Sequence, residues 1–530
     1  MEDEICFLKS NVQVEPLFGQ WYAWPHLIPP ATAARNVAER HMKIMDSYIS
    51  APVLHANAVR NPKMRGGPFI DYGGRRVEEI KELRQRTKEV MAPLLRLSDA
   101  ISELDELLRA NAKGFSLQTM YALVPAPLTG YVELGYDLNN HASFRLFEPL
   151  VYRSDYYDKS AQSLMLSLTT GDDRPFVLST PRLEDEQSVH LKVAYDDEIV
   201  DWLFQLKARP RPWAEIAAKF ESHGISGDSA RKFFNDAAPK PYQPYGGNGI
   251  RWRYFGHACI LIECGGRSIL FDPVLSYTYE SGVSRYTYED LPSSIDLVVI
   301  THNHQDHVLF ETLLQLRHRI KQIVVPRNSG GLLQDPSLKL TLEAVGFTNI
   351  VDLSEMDTIE LDGGRILGLP FLGEHSDLTV ASKLMYLVNV RGHSLLFAAD
   401  SCNVAPAVYD HVHRVTGDVD ALFLGMECDG APLSWLYGPL LTQKLPRAMD
   451  ESRRLAGSNF EQGISLVDRF GCKLVYVYAM GQEPWLGYIS SIKYTSESRP
   501  IRESARLIEE CIARGICAER LFGEKEIFMS

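Results

Sequence analysis

A short segment of the chain contains four residues of the types that bind metal ions. His302, His304, Asp306 and His307 lie within six residues and follow the apolar run DLVVIT. Side chains two positions apart in an extended segment project to the same side, so His302 and His304 can reach one ion. Asp306 and His307 come in the following turn and can reach a second ion about 3.5–4 Å away. Because such groups are costly to bury without partners, the segment predicts a two-metal site.

The composition limits the class of protein. The 530 residues exceed one ordinary core and predict two or three domains. The formal net charge of −13 argues against a nucleic acid as the main partner. No run approaches about 18 apolar residues, so we expect no transmembrane helix and no membrane partner. The eight cysteines have no regular spacing and the acidic N-terminus lacks the features of a secretory signal, which together predict a cytoplasmic location.

The best domain boundary is a segment rich in proline and glycine. The stretch NDAAPKPYQPYGGNGIRW precedes a clear change to strand patterning, and we place the linker at about residues 236–249. The sequence therefore predicts an N-terminal domain of residues 1–240 and a C-terminal domain of residues 250–530.

The two halves differ in their apolar patterns. The N-terminal half is mixed α/β, and its segment 75–114 has the spacing of two helices, with Ser98 placed to cap the second. The C-terminal half contains strand pairs joined by the turns CGGR, DGGR and VRGH, with helices between the later strands. This series predicts an α+β fold in which two packed sheets are covered by helices.

Around the metal cluster, the C-terminal half resembles a known fold. The pattern H-x-H-x-D-H after an apolar strand is the signature of the metallo-β-lactamase fold. The segment IRWRYFGHACILIECGGRSILFDP is similar to the first strands of that fold, with Asp272 at the expected strand end. The resemblance covers residues 250 to about 525. It implies an αββα sandwich whose metal site lies at one edge.

The chain departs from the zinc hydrolases of this fold at two ligand positions. Where those enzymes have a third histidine, PFLGEHSDL offers Glu374 and His375 side by side. Where they have a last histidine on a late strand, this chain has Ala479 and Met480. Their bridging aspartate corresponds to Asp400 in LLFAADSC. The site is therefore rich in oxygen ligands and has an open position, which suits iron and oxygen activation better than a closed zinc site.

These departures resemble one branch of the superfamily, the dinuclear-iron β-hydroxylases of nonribosomal peptide and antibiotic biosynthesis. The resemblance implies an O2-dependent monooxygenase that hydroxylates the β-carbon of an amino acid. That amino acid is held as a thioester on the phosphopantetheine arm of a carrier domain. The resemblance also implies an external electron-donating reductase and a homodimer in which the N-terminal domain shapes access to the site.

The ligand set of that family transfers onto six residues of this chain. Carried over by resemblance, the iron ligands are His302, His304 and Glu374 for one ion and Asp306 and His307 for the other, with Asp400 bridging. Glu374 and Asp400 are the candidate catalytic residues. The resemblance alone favours Glu374 over the adjacent His375, because the exact end of the preceding strand is not fixed by the sequence.

Further residues are candidates beside the ligand set. Glu427 in LFLGMECDG is expected to be a ligand, a hydrogen-bond partner of one, or a surface carboxylate. His375 is expected to hydrogen-bond a ligand or to contact the substrate. His257 in YFGHACILIE could line the site, but a hydrogen-bonded structural histidine is the preferred interpretation. Trp435 and Tyr437 are expected in loops at the rim of the pocket, or as anchors of those loops.

Two other classes of function stay open at this point. A zinc- or manganese-dependent hydrolase, such as a lactonase or phosphodiesterase, would use metal-activated water as its nucleophile. A non-catalytic binding protein of the same fold is the third hypothesis, and the complete ligand set argues against it. The metal content of the protein separates the first two.

Overall fold

The computed structural model describes residues 4–530, and two large sheets form the C-terminal half. The first sheet has seven strands, in the spatial order Ile350–Leu353, Ile323–Pro326, Leu297–Val299, Arg267–Phe271, Ile260–Cys264, Ile250–Tyr254 and Lys525–Met529. The second also has seven, in the order Thr358–Leu361, Gly364–Pro370, Leu384–Val390, His393–Phe397, Ala421–Gly425, Leu474–Tyr478 and Cys517–Arg520. The strands Leu297–Val299, Ile323–Pro326 and Ala421–Gly425 are continuous apolar runs buried along their whole length, as is typical of strands covered on both faces.

An aromatic layer joins the two sheets. The rings of Phe271 and Phe397 stack with their centroids 4.0 Å apart. Trp252 meets Phe423 edge to face, with 5.2 Å between centroids. These side chains lie in one buried cluster between the sheets, where aromatic pairs contribute beyond their buried area.

Helices cover the outer faces of the two sheets. In this half they are Phe310–Leu316, Leu338–Ala344, Pro406–Thr416, Leu433–Tyr437, Arg447–Ser452, Phe460–Phe470, Gly487–Ser490 and Arg499–Ala513. A short strand pair, Ala431–Pro432 with Arg454–Leu455, lies beside them. The predicted αββα sandwich is confirmed.

The N-terminal half is mixed, as predicted. Its strands are Ile5–Leu8, Val12–Phe18, Trp21–Tyr22, Val132–Tyr136, Ala142–Leu146, Gln162–Leu168, Val189–Leu191, Arg211–Pro212 and Phe234–Asn235. Its α-helices are Pro30–Asn36, Lys43–Ser50, Pro52–Arg60, Val77–Val90, Ala92–Asn111, Glu148–Val151, Glu198–Gln205, Trp213–Glu221 and Gly227–Arg231. Four of the strands form a sheet in the order Trp21–Tyr22, Val12–Phe18, Gln162–Leu168, Val189–Leu191.

The prediction that Ser98 caps a helix is wrong. The second helix begins at Ala92 and continues to Asn111, so Ser98 lies inside it and is fully buried. Its hydroxyl accepts a hydrogen bond from Nη1 of Arg35 at 3.1 Å. A tertiary contact, rather than a cap, therefore explains this serine.

The two halves share a buried core. One hydrophobic cluster includes side chains from both, among them Leu104 and Phe204 from the first half and Val298 and Leu313 from the second. Residues 236–249 between them contain no helix or strand, and the division at 240 and 250 stays a prediction. Within residues 4–530, none of the helices combines the length and apolar character needed to span a bilayer.

Candidate metal centre

The predicted metal-binding residues come together where strands of both sheets end. The cluster beginning at His302 follows the strand Leu297–Val299 of the first sheet. Glu374 and Asp400 follow the strands Gly364–Pro370 and His393–Phe397 of the second. The sandwich therefore brings three loops that are far apart in sequence to one place.

His302, His304 and Glu374 form the first group of potential ligand atoms. These atoms all lie within 4.8 Å of one another. Nδ1 of His304 is 2.6 Å from Oε1 of Glu374, and Nε2 of His302 is 3.7 Å from Oε2. All three side chains are buried.

Asp400 lies between this group and the next. Its Oδ2 is 3.9 Å from Nε2 of His302 and 3.2 Å from Nε2 of His307. His307 also belongs to a group with Asp306 and His257. Asp400 therefore lies near ligand atoms of both groups, and its bridging role stays a prediction.

A buried aspartate fixes the tautomers of two of the histidines. Asp272 is fully buried, and its Oδ2 accepts hydrogen bonds from the hydroxyl of Thr301 at 2.6 Å and from Nδ1 of His307 at 2.8 Å. Since Thr301 donates to Asp272, its oxygen can accept from Nδ1 of His302 at 3.0 Å. Both histidines then carry their proton on Nδ1, and both Nε2 atoms present a lone pair to a metal.

Tyr437 performs the same task for His304. If Nδ1 of His304 faces the metal beside Glu374, the ring proton lies on Nε2, which is 3.2 Å from the Tyr437 hydroxyl. That hydroxyl can then donate to Nδ1 of His375 at 2.8 Å. His375 would carry its proton on Nε2, which is 3.3 Å from Oε2 of Glu374. This chain of donors favours Glu374 as the ligand and His375 as its neighbour, because a protonated nitrogen cannot bind a metal.

The hydrogen bonds of His257 argue against a ligand role. Its Nδ1 accepts from the backbone N–H of Gly481 at 3.2 Å. The neutral ring therefore carries its proton on Nε2, which lies 3.3 Å from Oδ2 of Asp306. His257 thus stands beside the second group with a protonated nitrogen toward Asp306, and its assignment as a structural histidine stays a prediction.

Burial and neighbouring charges set the protonation of these groups. Burial raises the pKa of Glu374 to about 7, although the nearby His304 opposes the rise. Burial and the surrounding histidines lower the pKa of His302 well below its usual value, so this ring is neutral. For His307, burial disfavours the charged form, but Asp272 and Asp400 raise its pKa well above the usual range. A metal ion would compete with this last proton, because it binds the unprotonated ring.

A cavity of about 320 Å³ opens onto the groups. Asp306, Glu374, Asp400 and Glu427 are its acidic lining residues. Ala479 and Met480, the residues found in the sequence where the resemblance implied a late histidine, also line it. The N-terminal half contributes Arg65 and Gly66 to the wall, and its role in access to the site stays a prediction.

Several residues around the site were not assigned from the sequence. Thr301 orients His302 through a contact that no local pattern reveals. Trp435 and Tyr437 were expected in loops but lie in the helix Leu433–Tyr437, from which the Tyr437 hydroxyl contacts His304. His26, from the N-terminal half, stacks edge to face on Tyr437 with 5.8 Å between ring centroids. Only the position of Thr301, directly before the cluster, gave a signal that could have been used.

The chemistry of the donor set fits a pair of metal ions. Nε2 of His302, Oε2 of Glu374 and Oδ1 of Asp400 are buried atoms without hydrogen-bond partners among residues 4–530. Buried polar atoms are rarely left in this state unless something else binds them. The fold and the site together define a dinuclear metalloprotein of the metallo-β-lactamase fold.

Comparisons with known proteins narrow this class to a family. The family described as the diiron non-heme β-hydroxylase N-terminal domain matches residues 7–239, and a β-lactamase superfamily domain matches residues 267–431. The 4-amino-L-phenylalanyl-[CmlP-peptidyl-carrier-protein] 3-hydroxylase of Streptomyces venezuelae is 39% identical over 524 residues, which are 97% of this chain and 98% of that protein. This chain belongs to the diiron β-hydroxylase family, and it is therefore an enzyme with a two-iron cofactor.

Solved structures agree with this assignment. The crystal structure of CmlA, a diiron β-hydroxylase from Streptomyces venezuelae, superposes with a TM-score of 0.92 and 38% identity. The match covers 99% of this chain and all of that one. A metal-dependent hydrolase of Opitutus terrae is similar over a shorter part, with 30% identity over 161 residues that make up 29% of this chain and 63% of the hydrolase.

Proposed function

We propose that this enzyme hydroxylates the β-carbon of an aminoacyl group carried as a thioester by a peptidyl carrier protein, in the biosynthesis of a nonribosomal peptide or related antibiotic. The observation that carries the proposal is the 39% identity, over nearly the whole of both chains, to an enzyme named for this reaction. The cavity supports it, because an open face beside paired histidine and carboxylate groups leaves room for an organic substrate.

The ligand set is part of the proposal. One iron would be held by His302, His304 and Glu374, and the other by Asp306 and His307, with Asp400 between them. The tautomers described above support this assignment, since each proposed histidine ligand has its other nitrogen hydrogen-bonded. Glu374 and Asp400 would serve as catalytic residues because they contact the cofactor.

The irons, when bound, supply the activation of O2: one oxygen atom enters the C–H bond, and two electrons with two protons convert the other to water. The residues of the chain orient the ligand side chains and exclude bulk water from the cavity. Asp272 and Thr301 keep the ring protons of His307 and His302 away from the cavity. Trp435 and Met480 contribute apolar surface to the cavity, which favours a buried acyl group over bulk water.

The partners complete the proposal. The electrons would come from a reductase, and the substrate from a carrier domain whose phosphopantetheine arm enters the cavity. A homodimer and a cytoplasmic location are further parts of the proposal; they rest on the family resemblance and on the cysteine pattern of the sequence. The identity of the amino acid is the least constrained part.

Metal content and turnover test this function in one preparation. Protein from iron-replete cells is expected to hold about two irons per chain, with an absorption that bleaches on reduction, and to hydroxylate a carrier-bound amino acid. Glu374→His is expected to lower iron content and turnover, whereas Asp429→Asn, at an exposed carboxylate outside the cavity, is expected to leave both unchanged.

A zinc- or manganese-dependent hydrolase is the second candidate function. It is favoured by the β-lactamase superfamily match over residues 267–431 and by the metal-dependent hydrolase relative. Two colourless zinc ions in active protein, together with hydrolysis of lactones or phosphodiesters, would establish this alternative and refute the hydroxylase.

A further inference from the structure

One acidic side chain of the cavity remains outside the metal groups. Asp306, Glu374, Asp400 and Glu427 all line the cavity. The first three belong to sets of potential ligand atoms within 4.8 Å of one another, and Glu427 belongs to none of those found in residues 4–530. Its carboxylate therefore faces the same space as the cofactor without a place in the ligand set.

The loop after the strand Ala421–Gly425 holds Glu427 in this position. Its Oε2 accepts a hydrogen bond from the backbone N–H of Gly430 at 2.6 Å. Its backbone carbonyl accepts from the N–H of Gly457 at 2.7 Å. The backbone and one carboxylate oxygen are thus fixed, and the glutamate cannot turn away without losing a hydrogen bond.

The second carboxylate oxygen of Glu427, Oε1, has only a weak hydrogen bond. The nearest donor to Oε1 is the hydroxyl of Tyr494 at 3.4 Å, which is long for a hydrogen bond between oxygens. No lysine, arginine or histidine of residues 4–530 forms an ion pair with Glu427, whereas the buried carboxylates of Glu15, Glu311 and Glu263 each have such a partner. A carboxylate that is largely shielded from water and has no cation beside it is unfavourable, and burial accordingly raises the pKa of the half-buried Glu427 to about 7.

The proposed substrate carries the missing cation. An aminoacyl thioester has an α-ammonium group with three N–H donors, and a carboxylate oxygen in a partly buried site is a strong acceptor for it. The ammonium nitrogen is two bonds from the β-carbon. Glu427 and Asp400 line the same cavity, so an ammonium held by Glu427 leaves the β-carbon near the metal groups.

We propose that Glu427 binds the α-ammonium group of the aminoacyl substrate and thereby selects amino acids over acids that lack the amine. This inference rests on the proposed function and adds a specificity-determining residue to it. Apolar neighbours in the same cavity, namely Leu436, Leu455, Met480 and Ile492, would contact the amino-acid side chain. Glu427 then acts on the substrate and not as an iron ligand.

Two stable substrate mimics test the proposal by binding alone. One is 4-amino-L-phenylalanyl pantetheine with an amide in place of the thioester, and the other is the same compound without the α-amine. Their dissociation constants are measured by calorimetry with the iron-loaded wild type, Glu427→Gln and Asp429→Asn. Asp429 is a matched control, because it is an exposed carboxylate two positions away that does not line the cavity.

The wild type is expected to prefer the amine-bearing compound about 10- to 100-fold, the range of a charge-assisted hydrogen bond. Glu427→Gln should abolish most of that preference while keeping about two irons per chain, and Asp429→Asn should retain it. Glu427→Asp should recover part of it. Iron loss in Glu427→Gln would overturn the proposal by making this residue a ligand, and an unchanged preference would overturn it by removing the ammonium contact.

Turnover separates this inference from the function on which it rests. If the wild type hydroxylates a carrier-bound amino acid but does not distinguish the two mimics, only the role of Glu427 is refuted. If it hydroxylates no carrier-bound acyl group, the proposed function fails and the inference fails with it. Equal loss of turnover by Glu427→Gln on amine-bearing and amine-free carrier substrates would also refute ammonium binding.

Discussion

Asp272 orients histidines of the metal centre, although it does not line the cavity. It accepts hydrogen bonds from His307, from the Thr301 hydroxyl and from the Thr301 backbone N–H, the last at 2.8 Å. A carboxylate that accepts from the far nitrogen of a ligand histidine fixes the orientation of the ring and increases its basicity. The buried Asp272 therefore fixes the tautomer of His307 directly and that of His302 through Thr301.

Asp272→Asn is expected to weaken iron binding by about 10- to 100-fold, because the amide carries no charge and offers one acceptor oxygen instead of two. The measurement is iron retention against a competing chelator. Asp352→Asn, at a partly exposed carboxylate on the edge strand Ile350–Leu353, is the control and should retain iron normally. Normal retention in Asp272→Asn would show that the His307 contact is dispensable.

His257→Gln tests whether this residue is a donor or a ligand. Because Nδ1 of His257 accepts from Gly481, its other nitrogen carries a proton and cannot bind a metal. The variant is therefore expected to keep about two irons per chain, with some loss of affinity from the disturbed Asp306. A fall to about one iron per chain would identify His257 as a ligand.

The sequence predicted the local part of the site and singled out Asp272 at a strand end, but it did not indicate the contacts that orient the histidines. His302, His304, Asp306 and His307 share one loop, so their spacing alone indicated metal chemistry. Asp272, Thr301 and Tyr437 act through contacts between segments up to 133 positions apart, as in the bond from His304 to Tyr437. Such contacts depend on how the two sheets pack, and no short pattern encodes them.

At the scale of elements, the chain turns sharply at several strand ends around the site. Asp272, Ala399 and Glu374 have φ values of 36°, 45° and 67°, and each follows a strand that ends at the metal centre. His257 and Ala479 have similar values, 51° and 52°. These conformations cost about 1–3 kcal/mol each for residues other than glycine, and they are typically retained where function requires them.

The short helix Leu433–Tyr437 is a second element that serves the site. Its last residue carries the hydroxyl between His304 and His375. Arg40, from the N-terminal half, donates to the carbonyl oxygens of Trp435 at 2.7 Å and Leu436 at 3.1 Å. A cation at the C-terminal end of a helix is favourable, so the other half of the chain holds this helix in place.

Tyr437→Phe is expected to lower the free energy of unfolding by about 1–3 kcal/mol, because a buried N–H of His304 loses its acceptor. Urea unfolding of the metal-free protein measures this change separately from iron binding. Tyr121→Phe, at a partly exposed tyrosine of the N-terminal half, provides a comparison and should have a smaller effect. Equal stability of Tyr437→Phe and the wild type would remove this hydroxyl from the proposed chain of donors.

Elements with strong periodicity were predictable, and their ends were not. The apolar spacing at Ile80 and Leu83, and again at Ile101 and Leu104, predicted two helices, and both exist. The prediction for Ser98 was wrong because serine is favoured at the starts of helices, whereas here its hydroxyl accepts a hydrogen bond from Arg35 inside the helix. Helix boundaries of this kind depend on tertiary partners that a local pattern does not contain.

At the scale of the whole molecule, a buried set of charges joins the two halves. Glu15 pairs with Arg182 at 2.9 Å and with Arg174 at 2.6 Å, and Arg174 also pairs with Glu311 at 2.9 Å. The hydroxyl of Tyr22 donates to Glu311 at 2.8 Å. Glu311 belongs to the helix Phe310–Leu316, which directly follows the metal-binding loop.

Glu15→Gln is expected to destabilise the protein by about 3–5 kcal/mol at pH 7, because it leaves the buried Arg182 without a counter-charge and Arg174 with Glu311 alone. Burial would raise the pKa of Glu15, but Arg182 and Arg174 lower it from 4.5 to about 2. The stabilisation is therefore complete above about pH 4.5 and is lost as the pH falls toward 2. The gap between wild type and variant should narrow over that range.

Thermal unfolding at a series of pH values between 7 and 3 measures this gap. Glu186→Gln, at an exposed carboxylate of the same half, is the control and should follow the wild type at every pH. A gap for Glu15→Gln that stays constant down to pH 3 would mean that the ionised form of Glu15 is not what stabilises the fold.

The same buried charges determine how freely the two halves can be exchanged between relatives. The N-terminal half supplies both arginines and Tyr22, and the C-terminal half supplies Glu311 beside the metal loop. A hybrid enzyme that takes its halves from two parents keeps the charges matched only if both parents have the same partners at these positions. The metal-binding half therefore cannot be exchanged independently of the N-terminal half. Substitutions among these buried charged residues are expected to occur in compensating pairs during evolution.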